Sequence, residues 1–257
     1  MMPTFFLGHG SPMIAIEESP YVEFLQRLVS SLERRPKAVV LFSAHWEAVT
    51  QQISRLERYS TIYDFGGFPD ALYQIKYEAP GDIALADEIA DLLQQAGISS
   101  IHNPTRGLDH GAWVPLRHLF PEADIPVVAM SVNSRLTGDG HYLIGKALAA
   151  LRAQDVLIIG SGGTVHNFST MKFGGGPTDE WAVTFDEWVT RQIQDWNYES
   201  LANARTEHPY GAYAAPTPEH YIPLLYAMGA ADETRKGTRI YDGYQLGNLS
   251  LNCWKFD

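Results

Sequence analysis

Four histidines stand where strands or loops end in small residues and prolines. They are His9 in Leu7-Gly8-His9-Gly10-Ser11-Pro12, His45 in Ser43-Ala44-His45-Trp46, His166 in Gly163-Thr164-Val165-His166-Asn167 and His220 in Thr217-Pro218-Glu219-His220-Tyr221. Three of them follow short apolar runs that read as strands: Thr4 to Leu7, Ala38 to Phe42 and Val156 to Ile159. In open α/β sheets, ligands collect beyond the carboxyl ends of the strands, so imidazoles delivered to that edge can converge on one point. Imidazole is the commonest metal ligand, and the expected chemistry is that of a metalloenzyme. His110 in Leu108-Asp109-His110-Gly111 is a fifth candidate. His102, His118, His141 and His208 lie in ordinary loop or helix contexts and read as structural residues.

No local motif replaces this reading. The chain has no HExxH and no pair of histidines four apart on a helix. Gly160-Ser161-Gly162-Gly163, read as a turn, lacks the spacing and the lysine of a phosphate loop. The segment around Ser11 is not a GxSxG nucleophile elbow, and Ser11 is expected to cap its turn.

The elements that must position the histidines can be read from periodicity. Ser19 caps and Pro20 opens a helix whose stripe is Tyr21, Phe24, Leu25, Leu28, Val29 and Leu32. Pro36 ends it, and Ala38 to Phe42 has the continuous apolar character of a strand covered on both faces. Asp82 caps a helix bearing Leu85, Ile89, Leu92 and Leu93 that closes near Gly97. Ile125 to Val132 and Val156 to Ile159 read as strands, with a helix around Tyr142 to Leu151 between them. Thr178 to Trp196 reads as helix, Thr217 and Pro218 as a helix start, and Leu246 to Trp254 as a closing strand. Tyr59 to Tyr77 reads as a long aromatic loop of the kind that often carries function. Alternating helices and strands predict an α/β fold, a central mainly parallel sheet flanked by helices. No linker or repeat divides residues 1–257, so one domain is expected.

Composition sets outer limits. A net charge of −11 gives no basic face for nucleic acid or an anionic membrane. The single cysteine, Cys253, excludes an intrachain disulfide and any CxxC site. No apolar run approaches the ~20 residues of a membrane span, and no export signal is visible, so a cytoplasmic protein is expected.

The histidine motifs, with Tyr63-Asp64-Phe65-Gly66-Gly67-Phe68-Pro69 and Leu108-Asp109-His110-Gly111, resemble in order those of the class III extradiol ring-cleaving dioxygenases, in their 4,5-DOPA dioxygenase-like branch. The resemblance spans residues 7 to 221. It implies a non-haem metal centre that opens catechol rings with O2. Carried over by position, His9, His45 and His220 would be metal ligands, and His166 the acid/base residue or a fourth ligand. His110 would touch substrate or support a ligand, and Phe65, Phe68 and Tyr63 would wall the ring. The protocatechuate branch has a glutamate as third ligand, where this chain offers His220 with Glu219 beside it. An all-histidine set is closer to a zinc site than the 2-His-1-carboxylate triad of Fe(II) oxygenases, so Zn2+ is expected on isolation and Fe2+ for activity. A zinc-dependent hydrolase and a non-catalytic metal or ligand binder stand as alternatives on the same scaffold.

Overall fold

A computed structural model describes residues 1–257. Its strands are β1 (Thr4–Gly8), β2 (Ala38–Glu47), β3 (Gln51–Ser54), β4 (Ser100–Asn103), β5 (Val127–Val132), β6 (Val156–Gly162), β7 (Gly237–Tyr241), β8 (Tyr244–Gln245), β9 (Leu249–Ser250) and β10 (Cys253–Phe256). The helices are α1 (Pro20–Leu28), α2 (Asp70–Tyr73), α3 (Ile83–Gln95), α4 (His110–Leu119), α5 (Gly138–Ala147), α6 (Glu180–Gln194), α7 (Tyr198–Ala202), α8 (Ala204–Glu207), α9 (Gly211–Ala214) and α10 (Ile222–Gly229).

Eight strands form one sheet in the order β4-β3-β5-β2-β6-β1-β10-β7. The centre, β5-β2-β6-β1, is parallel throughout, and antiparallel β10 and β7 close one side. Strand alternation divides the core between two faces. Phe5, Leu7, Val39, Leu41, Leu157 and Ile159 pack against α1 and α4 on one face. Val40, Phe42, Val128, Met130 and Ile158 pack against α3, α5 and α10 on the other, where Phe6, Trp254 and Phe256 meet α6. The expected caps are in place: Ser19 Oγ accepts from Val22 N and Asp82 Oδ1 from Leu85 N. No helix is long and apolar enough to cross a membrane.

Several boundaries differ from those the sequence predicts. β2 continues to Glu47, so His45 lies on the strand rather than in a turn after it. β6 likewise runs through Gly160-Ser161-Gly162, which is strand and not turn. The reason is packing. A Cβ at Gly160 would stand 2.1 Å from Pro223 O, and one at Gly162 would stand 2.0 Å from His220 O. The two glycines let the start of α10 lie directly on β6. That helix begins at Ile222, not at Thr217, and α5 runs from Gly138 to Ala147, with a 3-10 segment from Ala149 to Gln154 beyond it. Leu246 to Trp254 is not one strand. Leu246 and Gly247 take positive φ (51° and 82°), folding β8 against β9, and only Cys253–Phe256 joins the sheet. The short strands β3, β4 and β7 have too little apolar alternation to be read locally.

Gly160→Ala should keep the far-UV circular dichroism of the native protein but lower its stability by about 1–3 kcal/mol, the usual cost of overpacking. A thermal unfolding midpoint equal to that of the parent would show that α10 does not rest on β6 in this way.

Candidate metal centre

Two parallel strands, β1 and β2, and the segment before α10 bring three imidazoles to one point at the carboxyl edge of the sheet. His9 follows β1, and its backbone N–H donates to Gly162 O (2.9 Å), continuing the ladder with β6. Gly10, at φ +62°, turns the chain away. His45 projects from the end of β2. His220 lies just before α10, and its carbonyl accepts from Gly163 N at 2.8 Å. Its Nε2 lies 3.2 Å from His45 Nε2, which lies 3.1 Å from His9 Nε2.

The partners on the other ring nitrogens decide what those short separations mean. Ser161 Oγ donates to Gly111 O at 2.5 Å, so its contact with His9 Nδ1 at 3.0 Å must be one in which the imidazole donates. His220 Nδ1 donates to Glu219 Oε1 at 3.0 Å. His45 Nδ1 faces Asp64 Oδ2 at 3.5 Å. Each ring therefore carries its proton on Nδ1 and turns the Nε2 lone pair inward. Three lone pairs facing one another with no proton between them repel; a cation among them reverses the sign. Two nitrogens about 2.0–2.1 Å from one ion at near-tetrahedral angles stand roughly 3.1–3.4 Å apart. The donor set fits a metal ion.

Burial reinforces this. It holds the imidazoles of His9 and His220 well below the usual histidine range, and the neighbouring histidines add to the effect. Burial, with His110 beside it, brings His45 down to about 3. Neutral imidazole is the form that binds metal.

Two further histidines flank the three. His110 opens α4, where Asp109 caps by accepting from Ala112 N. Asp64 Oδ1 accepts from both the backbone N (2.9 Å) and Nδ1 (3.0 Å) of His110. Burial raises the Asp64 carboxyl, but the hydrogen bonds and charge of His110 outweigh it and bring it to about 2. His166 stacks on His220, with ring centroids 3.5 Å apart and planes 6° from parallel. Its nitrogens group with His220 and Glu219 rather than with His9 and His45. In this arrangement no single point lies in the planes of both stacked rings. Burial lowers His166 to about 4.

His45, Asp64, His110 and His166 line a cavity of about 670 Å³ with Phe65 and Phe68 on its wall. Tyr63 is not on that wall; its hydroxyl donates to Ile75 O at 2.6 Å. The remaining histidines have ordinary partners: His118 Nε2 meets Ile14 O, His102 Nε2 meets Ala86 O, His141 Nδ1 meets Tyr226 OH, and His208 Nδ1 accepts from Tyr210 N. Sequence reading missed Ser161, hidden in a glycine run with no signal of its own, and the orienting part of Asp64, which lay inside a motif noted for its aromatics.

Fold and site together define an α/β protein with a three-imidazole centre beside an aromatic-walled cavity. Residues 3–251 match the family described as the catalytic LigB subunit of aromatic ring-opening dioxygenase. The chain is 43% identical to a 4,5-DOPA dioxygenase extradiol of Beta vulgaris, over 98% of this chain and 96% of that one. It is 40% identical to the Escherichia coli K12 protein of the same name, over 97% and 93%. A crystal structure of an uncharacterized protein from Escherichia coli K12 superposes with a TM-score of 0.86 at 35% identity, covering all of both chains. The chain belongs to the LigB family of ring-opening dioxygenases.

Replacing His45 by Ala should remove most bound metal. Full occupancy by mass-spectrometric metal analysis in the His9, His45 and His220 single alanine variants alike would overturn the ligand set. Ser161→Ala, which frees His9 Nδ1 without touching a ligand, should weaken metal binding by about 10–100-fold. Unchanged affinity in a chelator competition would show that the Nδ1 partner does not orient the ring.

Proposed function

We propose that this protein is a metal-dependent extradiol dioxygenase that opens the ring of a catechol, DOPA-like in its dihydroxyphenyl head, with O2. The observation that carries the reading is the three inward-facing Nε2 lone pairs of His9, His45 and His220 at one edge of the aromatic-walled cavity. The family's metal would sit among these nitrogens, and Fe(II) there supplies redox chemistry that Zn2+ lacks. The relatives named for DOPA support the reaction class.

The protein's own groups supply binding and proton transfer. Phe65 and Phe68 give a flat ring an apolar wall, and Phe65 meets the His110 ring edge to face at 5.7 Å. His110 keeps its Nδ1 proton on Asp64, which leaves Nε2 as the acceptor for a substrate hydroxyl. His166 lines the same cavity, and no other residue hydrogen-bonds its side chain. Neutral at physiological pH, it accepts a catechol proton as general base and returns it later as acid. The stacked geometry on His220 favours this part over that of a fourth ligand.

As isolated, the protein should hold zinc, because a nitrogen-rich site binds Zn2+ more tightly than Fe2+. Catechol-dependent O2 uptake should appear only after anaerobic exchange into Fe(II); equal uptake by the zinc form would overturn a redox mechanism. In the Fe(II) form, His166→Ala should keep its metal and lose turnover by about 10²–10⁴. Loss of metal instead would make His166 a ligand.

A further inference from the structure

We propose that the substituent on the substrate ring is apolar and uncharged, an alkyl or aryl chain and not a carboxylate-bearing or zwitterionic one. This rests on the ring-opening reading of the same cavity and names the class of catechol it takes.

Four of the five polar side chains that line the cavity are gathered at one end. His45, Asp64, His110 and His166 stand around the metal centre, where the ring hydroxyls would go. The rest of the wall is mostly apolar, with Met13, Phe65, Phe68, Phe168, Met171 and Phe173 on it, and Ser11 is its one further polar side chain. Two of these are unusually bare: Phe168 is 68% exposed and Phe173 72% exposed, though both are large aromatics. They line the cavity and face solvent together, which puts them at its mouth. An apolar ring substituent leaving the metal end meets them and covers them.

A carboxylate on the same tail finds no cation. Neither Lys nor Arg lines the cavity. Lys172 lies between Met171 and Phe173 in sequence, but its Nζ is held by Asp179 Oδ1 at 2.5 Å and Pro177 O at 2.9 Å. Arg106, bonded to the His45 carbonyl at 2.9 Å, also has Asp109 Oδ2 at 3.1 Å. The charged group that does line the cavity, Asp64, is an anion, and the whole chain carries −11. Taking an unpaired carboxylate into such surroundings is unfavourable, whereas each methylene buried there favours binding about fourfold. The relatives named for DOPA share the ring chemistry of the metal end; the mouth is built by a different segment, Phe168 to Phe173, and ring chemistry does not fix its preference.

The test uses three catechols with three-carbon tails: 4-propylcatechol, dihydrocaffeate, whose tail ends in a carboxylate, and DOPA. Turnover is followed in the Fe(II)-loaded protein, and binding of the same compounds is measured anaerobically by calorimetry. Propylcatechol should exceed dihydrocaffeate and DOPA by about tenfold or more in both kcat/KM and affinity. Phe173→Arg, at an exposed position, should shift the ratio toward dihydrocaffeate with metal content unchanged. Equal or better binding and turnover of the charged compounds by the parent protein, or an unmoved ratio in Phe173→Arg, would overturn the proposal. Absence of O2 uptake with every catechol would instead overturn the ring-opening reading, and the anaerobic affinities would still decide the class of tail.

Discussion

Three imidazole lone pairs turned toward one another set the requirements for everything around them. The arrangement is unfavourable without a cation, so the fold must hold it against its own repulsion. It does so from behind. Ser161 and Glu219 accept the outward Nδ1–H of His9 and His220, Asp64 faces the Nδ1 of His45 at 3.5 Å, and each of the three sits on a different segment. Ser161 belongs to the sheet and passes its own proton to the first turn of α4 through Gly111 O. Gly111 must be glycine there, since a Cβ would stand 2.9 Å from His45 Cδ2 and 3.2 Å from His9 Cε1. The second layer is thus also the joint between sheet and helix, and it fixes tautomer and ring direction together.

The proposed ligand set is neutral, but carboxylates stand one imidazole away. Asp64 backs both His45 and His110, and Glu219 backs His220. A hydrogen bond from Nδ1 to a carboxylate makes Nε2 a stronger donor, so anionic character reaches the centre through the rings. This separates the site from a carboxylate-ligated one without making it electrostatically indifferent. It also ties substrate to metal: the carboxylate that orients a ligand is the one that orients the cavity-facing His110.

The sequence makes the central sheet and the convergence legible because both are local. Ala38 to Phe42 and Val156 to Ile159 are unbroken apolar runs, and the histidines follow them at short distance. What stays hidden depends on contacts far apart in the chain. Gly160 and Gly162 look like a turn until α10, about 60 residues on, is laid on them and its start explains why no side chain fits. Leu246 to Trp254 is apolar enough for a strand, yet two positive φ angles at Leu246 and Gly247 fold it, and only one of them falls on a glycine. Ser161 has no signal at all, because its function is a hydrogen bond 50 residues away.

His166 stands between the two halves of the site. Its backbone is fixed, with N–H donated to Ala214 O at 2.8 Å and Thr164, two residues before, bonded to the buried carboxylate of Asp186 at 2.5 Å. Its ring stacks on His220 and meets the edge of Phe168, 4.9 Å between centroids, and beyond these it has only its own backbone to bond to. His9, His45, His110 and His220 each have another residue facing Nδ1; His166 has none. A ligand gains from being locked, because rotation costs it the metal. A group that takes a proton from one atom and gives it to another gains from the reverse. The structure gives these two conditions to different histidines, and the unlocked one borders both the metal centre and the mouth where Phe168 meets the incoming ring substituent.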